Sequence, residues 1–223
     1  MTAFVVGYDP GGNDRHGLAV LHVKEQAGCW SVRAIETAVA ECLADAVAWV
    51  ERRCGGGRIV AAGADTLTEW SSGKGGWRAA DLWLRREYHE VAGSVIAPAA
   101  LRGSMVAGGA GFLLLLADRF RADGTVVTEA HPKVAYFALT RRRTAWKDDA
   151  AGMSGWLEQE LAIALPGGFT DGEDHVFDAA MAALAALRGL NREWTHDLHA
   201  LPHGAPTARV QFCGATHYWW PER

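Results

Sequence analysis

Four cysteines in 223 residues, Cys29, Cys42, Cys54 and Cys213, never fall into a Cys-x-x-Cys pair. That excludes a zinc ribbon and a dithiol redox motif, and the thiols read as reduced. Basic charge is not in excess: 22 Lys and Arg stand against 26 Asp and Glu, for a net charge of -4 and a pI near 6.1. The chain as a whole therefore does not coat nucleic acid or an anionic membrane, and any polyanion must be met by a local patch. Long apolar runs are missing too. The longest region, Met105 to Ala117, is too short and glycine-rich to span roughly 30 Å of hydrocarbon. A charged segment followed by an apolar leader is absent from the first residues, which predicts a cytoplasmic protein with no membrane partner. The Gly-Lys of Ser71–Gly76 is no P-loop. Thr68 stands where the first glycine is needed, and Gly75 follows Lys74 where Ser or Thr should hold magnesium.

What is present is an ordinary globular balance, 49% apolar and 22% charged, enough for one domain over residues 1–223. The run Ala3–Asp9 reads as a central strand that ends on a carboxylate and breaks at Pro10, Gly11 and Gly12. Gly17–Val23 and Trp30–Glu36 follow as hairpin neighbours, which predicts an antiparallel meander. Val39, Leu43, Val47 and Val50 recur at helical spacing across Ala38–Cys54, with Gly55 as a C-cap. Arg58–Ala64 is a strand buried on both faces, ending on Asp65. Residues 66–123 read as a helical insertion. It has helices over Ala79–Tyr88 and Ala99–Phe120, the second interrupted or kinked at Gly108, Gly109 and Gly111. A strand over Thr125–Ala130 carries Glu129.

The last helix holds the sharpest signal. Thr170–Glu173 has the spacing of a capping box, which gives Glu173 and Asp174 structural work in the first turn. Asp178 is different. Val176 to Leu187 is apolar around nearly the whole helix, and a lone carboxylate buried there costs several kcal/mol unless a cation meets it. Asp174 lies one turn earlier on the same face. Residues 190–223 form an extension rich in histidine and aromatics. His196, His199 and His203 lack a neighbouring cysteine and read as satisfied or surface residues, and the tryptophans as core closure rather than base-stacking platforms. Arg209–Cys213 reads as a last strand or tail.

Four segments in this order resemble a known family: Gly7-Tyr8-Asp9 with Gly11-Gly12, Ala64-Asp65-Thr66-Leu67, Glu129-Ala130-His131-Pro132, and Asp174-His175-Val176-Phe177-Asp178. The family is the predicted nucleases of ribonuclease-H-like fold, a largely uncharacterised group. The resemblance covers residues 4 to 188. It departs where the family has Pro for Thr66 and a second acid for His175 and Lys133.

It implies an α/β fold with a mixed sheet, three antiparallel strands followed by parallel ones, flanked by helices. It implies a metal-dependent nuclease in which Asp9, Asp65, Glu129 and Asp178 are catalytic and, with Asp174, hold two Mg2+ or Mn2+ ions. The substrate would be nucleic acid, DNA or RNA. Hard divalent cations favour carboxylate oxygens, and two of them roughly 3.5–4 Å apart activate water and neutralise a leaving oxygen. Lys74, Arg78, Lys133 and Arg141, the last in the basic run Arg141–Arg143, are expected phosphate contacts. The rival readings are a catalytically idle interaction module of the same fold and a nucleotide-binding ATPase-like protein. The latter lacks the internal repeat and length for two such domains.

Overall fold

The computed structural model describes residues 2–11, 15–101, 103–120, 124–165, 174–202, 209–211 and 214–222. Gly12, the capping box Thr170–Glu173, His203 and Cys213 lie outside the described residues. Strands β1 (Ala3–Asp9), β2 (His16–Gln26) and β3 (Cys29–Ala40) form the expected meander. Helix α1 (Leu43–Cys54) leads to β4 (Arg58–Ala64), which pairs parallel with β1. Then follow β5 (Glu69–Ser71), α2 (Ala79–Glu87), α3 (Gly103–Phe120) and β6 (Val126–Glu129), parallel to β4. Three helices, α4 (Pro132–Thr140), α5 (Trp146–Leu161) and α6 (Asp174–Leu190), precede the short strands β7 (His196–Asp197), β8 (Arg209–Gln211) and β9 (Trp219–Trp220). The five-stranded sheet runs β3-β2-β1-β4-β6. Three antiparallel strands, with two parallel strands added on the far side of the first, make the ribonuclease-H-like fold.

Alternation along β1 splits the core. Phe4, Val6 and Tyr8 pack toward α1 and α3, against Val47, Val50, Phe112 and Leu116. Ala3 and Val5 join the opposite cluster with α4, α5 and α6. The sheet is thus covered on both faces, which is why β1 and β4 read as unbroken apolar runs.

Glycine in the strands lets α6 lie directly on the sheet. A Cβ at Gly7 would come 1.9 Å from the Ala179 carbonyl oxygen, one at Gly63 1.9 Å from that of Ala182, and one at Gly17 2.0 Å from that of His175. The alanines of α6 are the other half of this fit, since larger side chains would hold the helix off.

Two expectations are corrected. Residues 38–40 belong to β3, not to the first helix, because pairing with β2 continues to His16↔Ala40. The helix starts after Cys42, whose Sγ accepts from the Asp45 N–H. The glycines of α3 do not break it: the helix runs through them for 18 residues. Gly109 instead lets Thr66 approach, where an added Cβ would be 2.2 Å from Thr66 Oγ1. The Thr66 hydroxyl donates to the Met105 carbonyl oxygen.

The C-terminal segment closes edges. His217 pairs with Thr128 beside β6, β9 pairs with β7, and β8 pairs with β5. Trp220 is buried, and its Nε1–H donates to Tyr88 Oη at 2.8 Å. Its aromatic neighbours Tyr88, Trp83 and Tyr218 pack around it. Among the described residues no single helix is long and apolar enough to cross a membrane.

Candidate functional site

The register of the parallel strands brings the acids together. Tyr8 pairs with Ala64 and Ala64 with Glu129, so Asp9, Asp65 and Glu129 occupy the carboxyl ends of three adjacent strands. The Asp65 N–H donates to the Tyr8 carbonyl oxygen at 2.9 Å and fixes the β4 end against β1. Close contact of α6 with the sheet sets Asp178 over the same ends. Ligands in sheets of this kind gather at such carboxyl ends.

Asp9 and Asp178 are each 3% exposed, and Asp65 is partly exposed. Burial, followed by the charges of Asp9 and Asp65, pushes the Asp178 carboxyl well above the usual range. Asp65 rises likewise through burial and the charge of Asp9. Burial also raises Asp9, with His175 pulling the other way. Asp9 thus stands close enough to disfavour ionisation of Asp65 and Asp178, and Asp65 that of Asp178.

Two cationic groups answer them. His175 Nδ1 lies 2.6 Å from Asp9 Oδ2, and that hydrogen bond raises the imidazole's pKa. Lys133 Nζ stands 3.8 Å from Asp174 Oδ2 and 3.9 Å from Asp178 Oδ2. The Asp178 charge holds its pKa up. Four carboxylates face two such partners, so negative charge is left uncompensated. Among the described residues no three His, Cys, Asp or Glu side chains form a ready-made metal cluster.

Glu129 is turned to a different task. Arg78 donates to both of its oxygens, from Nη2 to Oε1 at 2.6 Å and from Nη1 to Oε2 at 2.7 Å. The Thr68 N–H donates to Oε2 as well. Burial alone would raise the Glu129 pKa, but Arg78 and His199 outweigh it and hold the carboxyl down to about 2. Arg78 also donates to Asp81 through Nε and Nη2. At 2% exposure it is spent inside the protein, which corrects its expected role as a phosphate contact. Its fifth N–H, on Nη1, donates to the Glu69 carbonyl oxygen, so the guanidinium has no donor to spare for substrate. Glu129 is likewise engaged by protein donors rather than open to a cation.

Lys74 is exposed on the 3-10 turn Lys74–Gly76. Arg141 is the exposed left-handed C-cap of α4, its guanidinium 5.9 Å from the Phe137 ring centroid. Of the four expected basic contacts, Lys133 is the one that the ion pairs among the described residues place at Asp174 and Asp178. His199 is buried, with Nε2 3.5 Å from Glu129 Oε2 and 3.8 Å from Glu69 Oε1. Arg209 Nε pairs with Glu69 Oε2 at 3.1 Å.

The sequence reading missed His175 as a partner of Asp9. Its signal was spacing: three residues before Asp178, it lies on a neighbouring position of the same helix face. His131 belongs to the Glu129-Ala130-His131-Pro132 segment. It is the residue before α4, half-buried, with its pKa lowered to about 4 by desolvation.

No protein-family model and no curated protein matches the sequence. Among solved structures, the Thermus thermophilus RuvC structure is similar over 84% of this chain and 95% of that chain, with 16% identity and a TM-score of 0.42.

Proposed function

We propose that this chain is a divalent-cation-dependent phosphodiesterase acting on nucleic acid, with Asp9, Asp65 and Asp178 as the cation ligands and Asp174 at the rim. The observation that carries the reading is the convergence of three carboxylates at the ends of β1 and β4 and on α6, where the Asp9 charge helps burial to raise both the Asp65 and the Asp178 carboxyl. The donor set fits Mg2+ or Mn2+: carboxylate oxygens are the hard ligands such ions take, and the negative charge exceeds what Lys133 and His175 neutralise. When bound, such a cation supplies Lewis-acid stabilisation of phosphoryl charge and a lowered pKa for water.

The chain's own residues set the geometry. His175 holds one Asp9 oxygen, Oδ2. The Lys133 side chain is 44% exposed, so its ammonium can leave Asp174 for a phosphate oxygen. Arg78 and Glu129 brace the strand ends from within.

The idle interaction module draws on a specific observation as well: Lys133 and His175 already sit among the acids as counter-ions. The experiment that separates the two readings is cleavage of labelled single- and double-stranded DNA and RNA with Mg2+, Mn2+ or EDTA. The nuclease reading expects metal-dependent cleavage that Asp178→Asn abolishes while circular dichroism is unchanged. No cleavage of any substrate, or an equal rate in the variant, contradicts it.

A further inference from the structure

Lys133 stands in the first turn of α4, directly after Pro132. A cation at that end opposes the helix dipole, so the helix itself gains nothing from it. The acids do. Its Nζ lies 3.8 Å from Asp174 Oδ2 and 3.9 Å from Asp178 Oδ2, beyond hydrogen-bond length, so charge alone holds the ammonium between them. The charges of Asp178, Asp174, Asp65 and Asp9 all favour its ionised form, against desolvation. The other counter-ion is fixed, because His175 is hydrogen-bonded to Asp9 at 2.6 Å. Lys133 has no such tie to its acids, and its side chain is 44% exposed. It also occupies a divide. A cavity of about 180 Å³ lies on the Asp65 side and a groove of about 350 Å³ on the side of Asp174 and Asp178, and among the described residues Lys133 alone lines both. A strand running from one to the other past the carboxylates passes its ammonium.

We propose that Lys133 is a displaceable counter-ion that couples two ligands: it competes with the divalent cation for Asp174 and Asp178, and a substrate phosphodiester relieves the competition by drawing the ammonium away. The inference rests on the nuclease reading above. Chemistry selects the second ligand. To leave two carboxylates an ammonium needs another anion, and a nucleic acid offers one phosphate per nucleotide. Arg78, which lines the same cavity, is already spent on Glu129 and Asp81. A cation brought to Asp178 repels the ammonium, since like charges a few ångströms apart in a partly buried site are weakly screened. Phosphate and cation therefore favour each other's binding, and by the same factor. The site holds metal alone below its full affinity and reaches that affinity when substrate arrives.

The test is calorimetric titration of Mn2+ into metal-stripped wild type, Lys133→Met and Lys133→Arg, alone and with excess dimethyl phosphate, a diester whose methoxide groups leave poorly. Circular dichroism checks that both variants are folded. Lys133→Met removes the competitor, so it should bind Mn2+ alone at least about tenfold tighter than wild type. Lys133→Arg keeps the charge and should stay near wild type. Dimethyl phosphate should tighten Mn2+ binding by wild type at least about fivefold, the lower end of typical couplings. It should do clearly less in Lys133→Met, where any coupling left is direct contact between phosphate and metal. Three results overturn the linkage and leave the cation site standing: Lys133→Met binding no tighter than wild type, Lys133→Arg binding as tightly as Lys133→Met, or an equal phosphate effect in wild type and Lys133→Met. No Mn2+ binding by wild type or either variant overturns both.

Discussion

His175 Nδ1 and Asp9 Oδ2 lie 2.6 Å apart, so the first carboxylate of the cluster is held by an imidazole from the helix that carries Asp174 and Asp178. The pair ties α6 to the end of β1. Its hydrogen bond raises the His175 pKa above the ordinary value. A raised folded pKa contributes stability that is fully present below the unfolded value, about 6.5, and lost as pH rises through the folded value. Urea denaturation of wild type and His175→Ala should therefore show the largest gap below about pH 6.5, of about 1.5–3 kcal/mol for a hydrogen bond to a buried charged carboxylate. The gap should close at alkaline pH. A gap that widens with pH would contradict the assignment.

Asp65 makes the opposite contribution. Its carboxyl is pushed well up by burial and by Asp9, so in metal-free protein near neutral pH its charge destabilises the fold. Asp65→Asn should stabilise the metal-free protein by about 1–2 kcal/mol, or about 2–4 °C in melting temperature per kcal/mol. It should also reduce the further rise that Mn2+ gives wild type. Thermal scans with and without Mn2+ check both. A variant that melts lower without metal contradicts the repulsion argument.

Arg78 and Glu129 hold the strand ends from inside. Removing one partner of a buried pair costs about 3–5 kcal/mol, so Arg78→Met should lose that much stability at pH 7 by urea denaturation. The Glu129 pKa is depressed to about 2. Its contribution is present above the unfolded value, about 4.3, and is lost as pH falls toward 2. The wild-type advantage over Arg78→Met should shrink across that window. An Arg78→Met protein as stable as wild type would show the network to be dispensable.

The contact of α6 with the sheet is testable at a glycine. Gly63→Ala puts a Cβ 1.9 Å from a backbone oxygen that cannot yield without moving the helix. It should cost about 1–3 kcal/mol or more, and it should weaken Mn2+ binding by displacing Asp178. Gly93→Ala, where an added Cβ meets nothing within 4 Å, should stay within about 0.5 kcal/mol. Equal stabilities measured by urea denaturation would remove the close-approach argument.

The sheet was legible because apolar runs and punctuation agree: the runs ended at Asp9 and Asp65, and turns separated three consecutive strands. The acids at the strand ends were legible for the same reason. Residues 38–40 were misread because Val39 and Leu43 fit a helical period, while the competing signal, continued pairing with β2, is non-local. Helix α5 escaped because its sequence mixes Gly152 and Gly155 with polar residues, and its backbone is kinked at Asp149. Arg78 looked like a surface cation beside a glycine loop. Nothing near it in sequence shows that Glu129, 51 positions on, will take its guanidinium. The Ala-rich helix and the strand glycines were visible singly, but their complementarity appears only once the strands are stacked.

The central claim is that Asp9, Asp65 and Asp178 form a cation site, and calorimetric titration of Mn2+ into metal-stripped protein addresses it without assuming a substrate. The account predicts saturable binding by wild type that is at least about tenfold weaker in Asp178→Asn. Equal binding by the two proteins, or none by wild type, would contradict it.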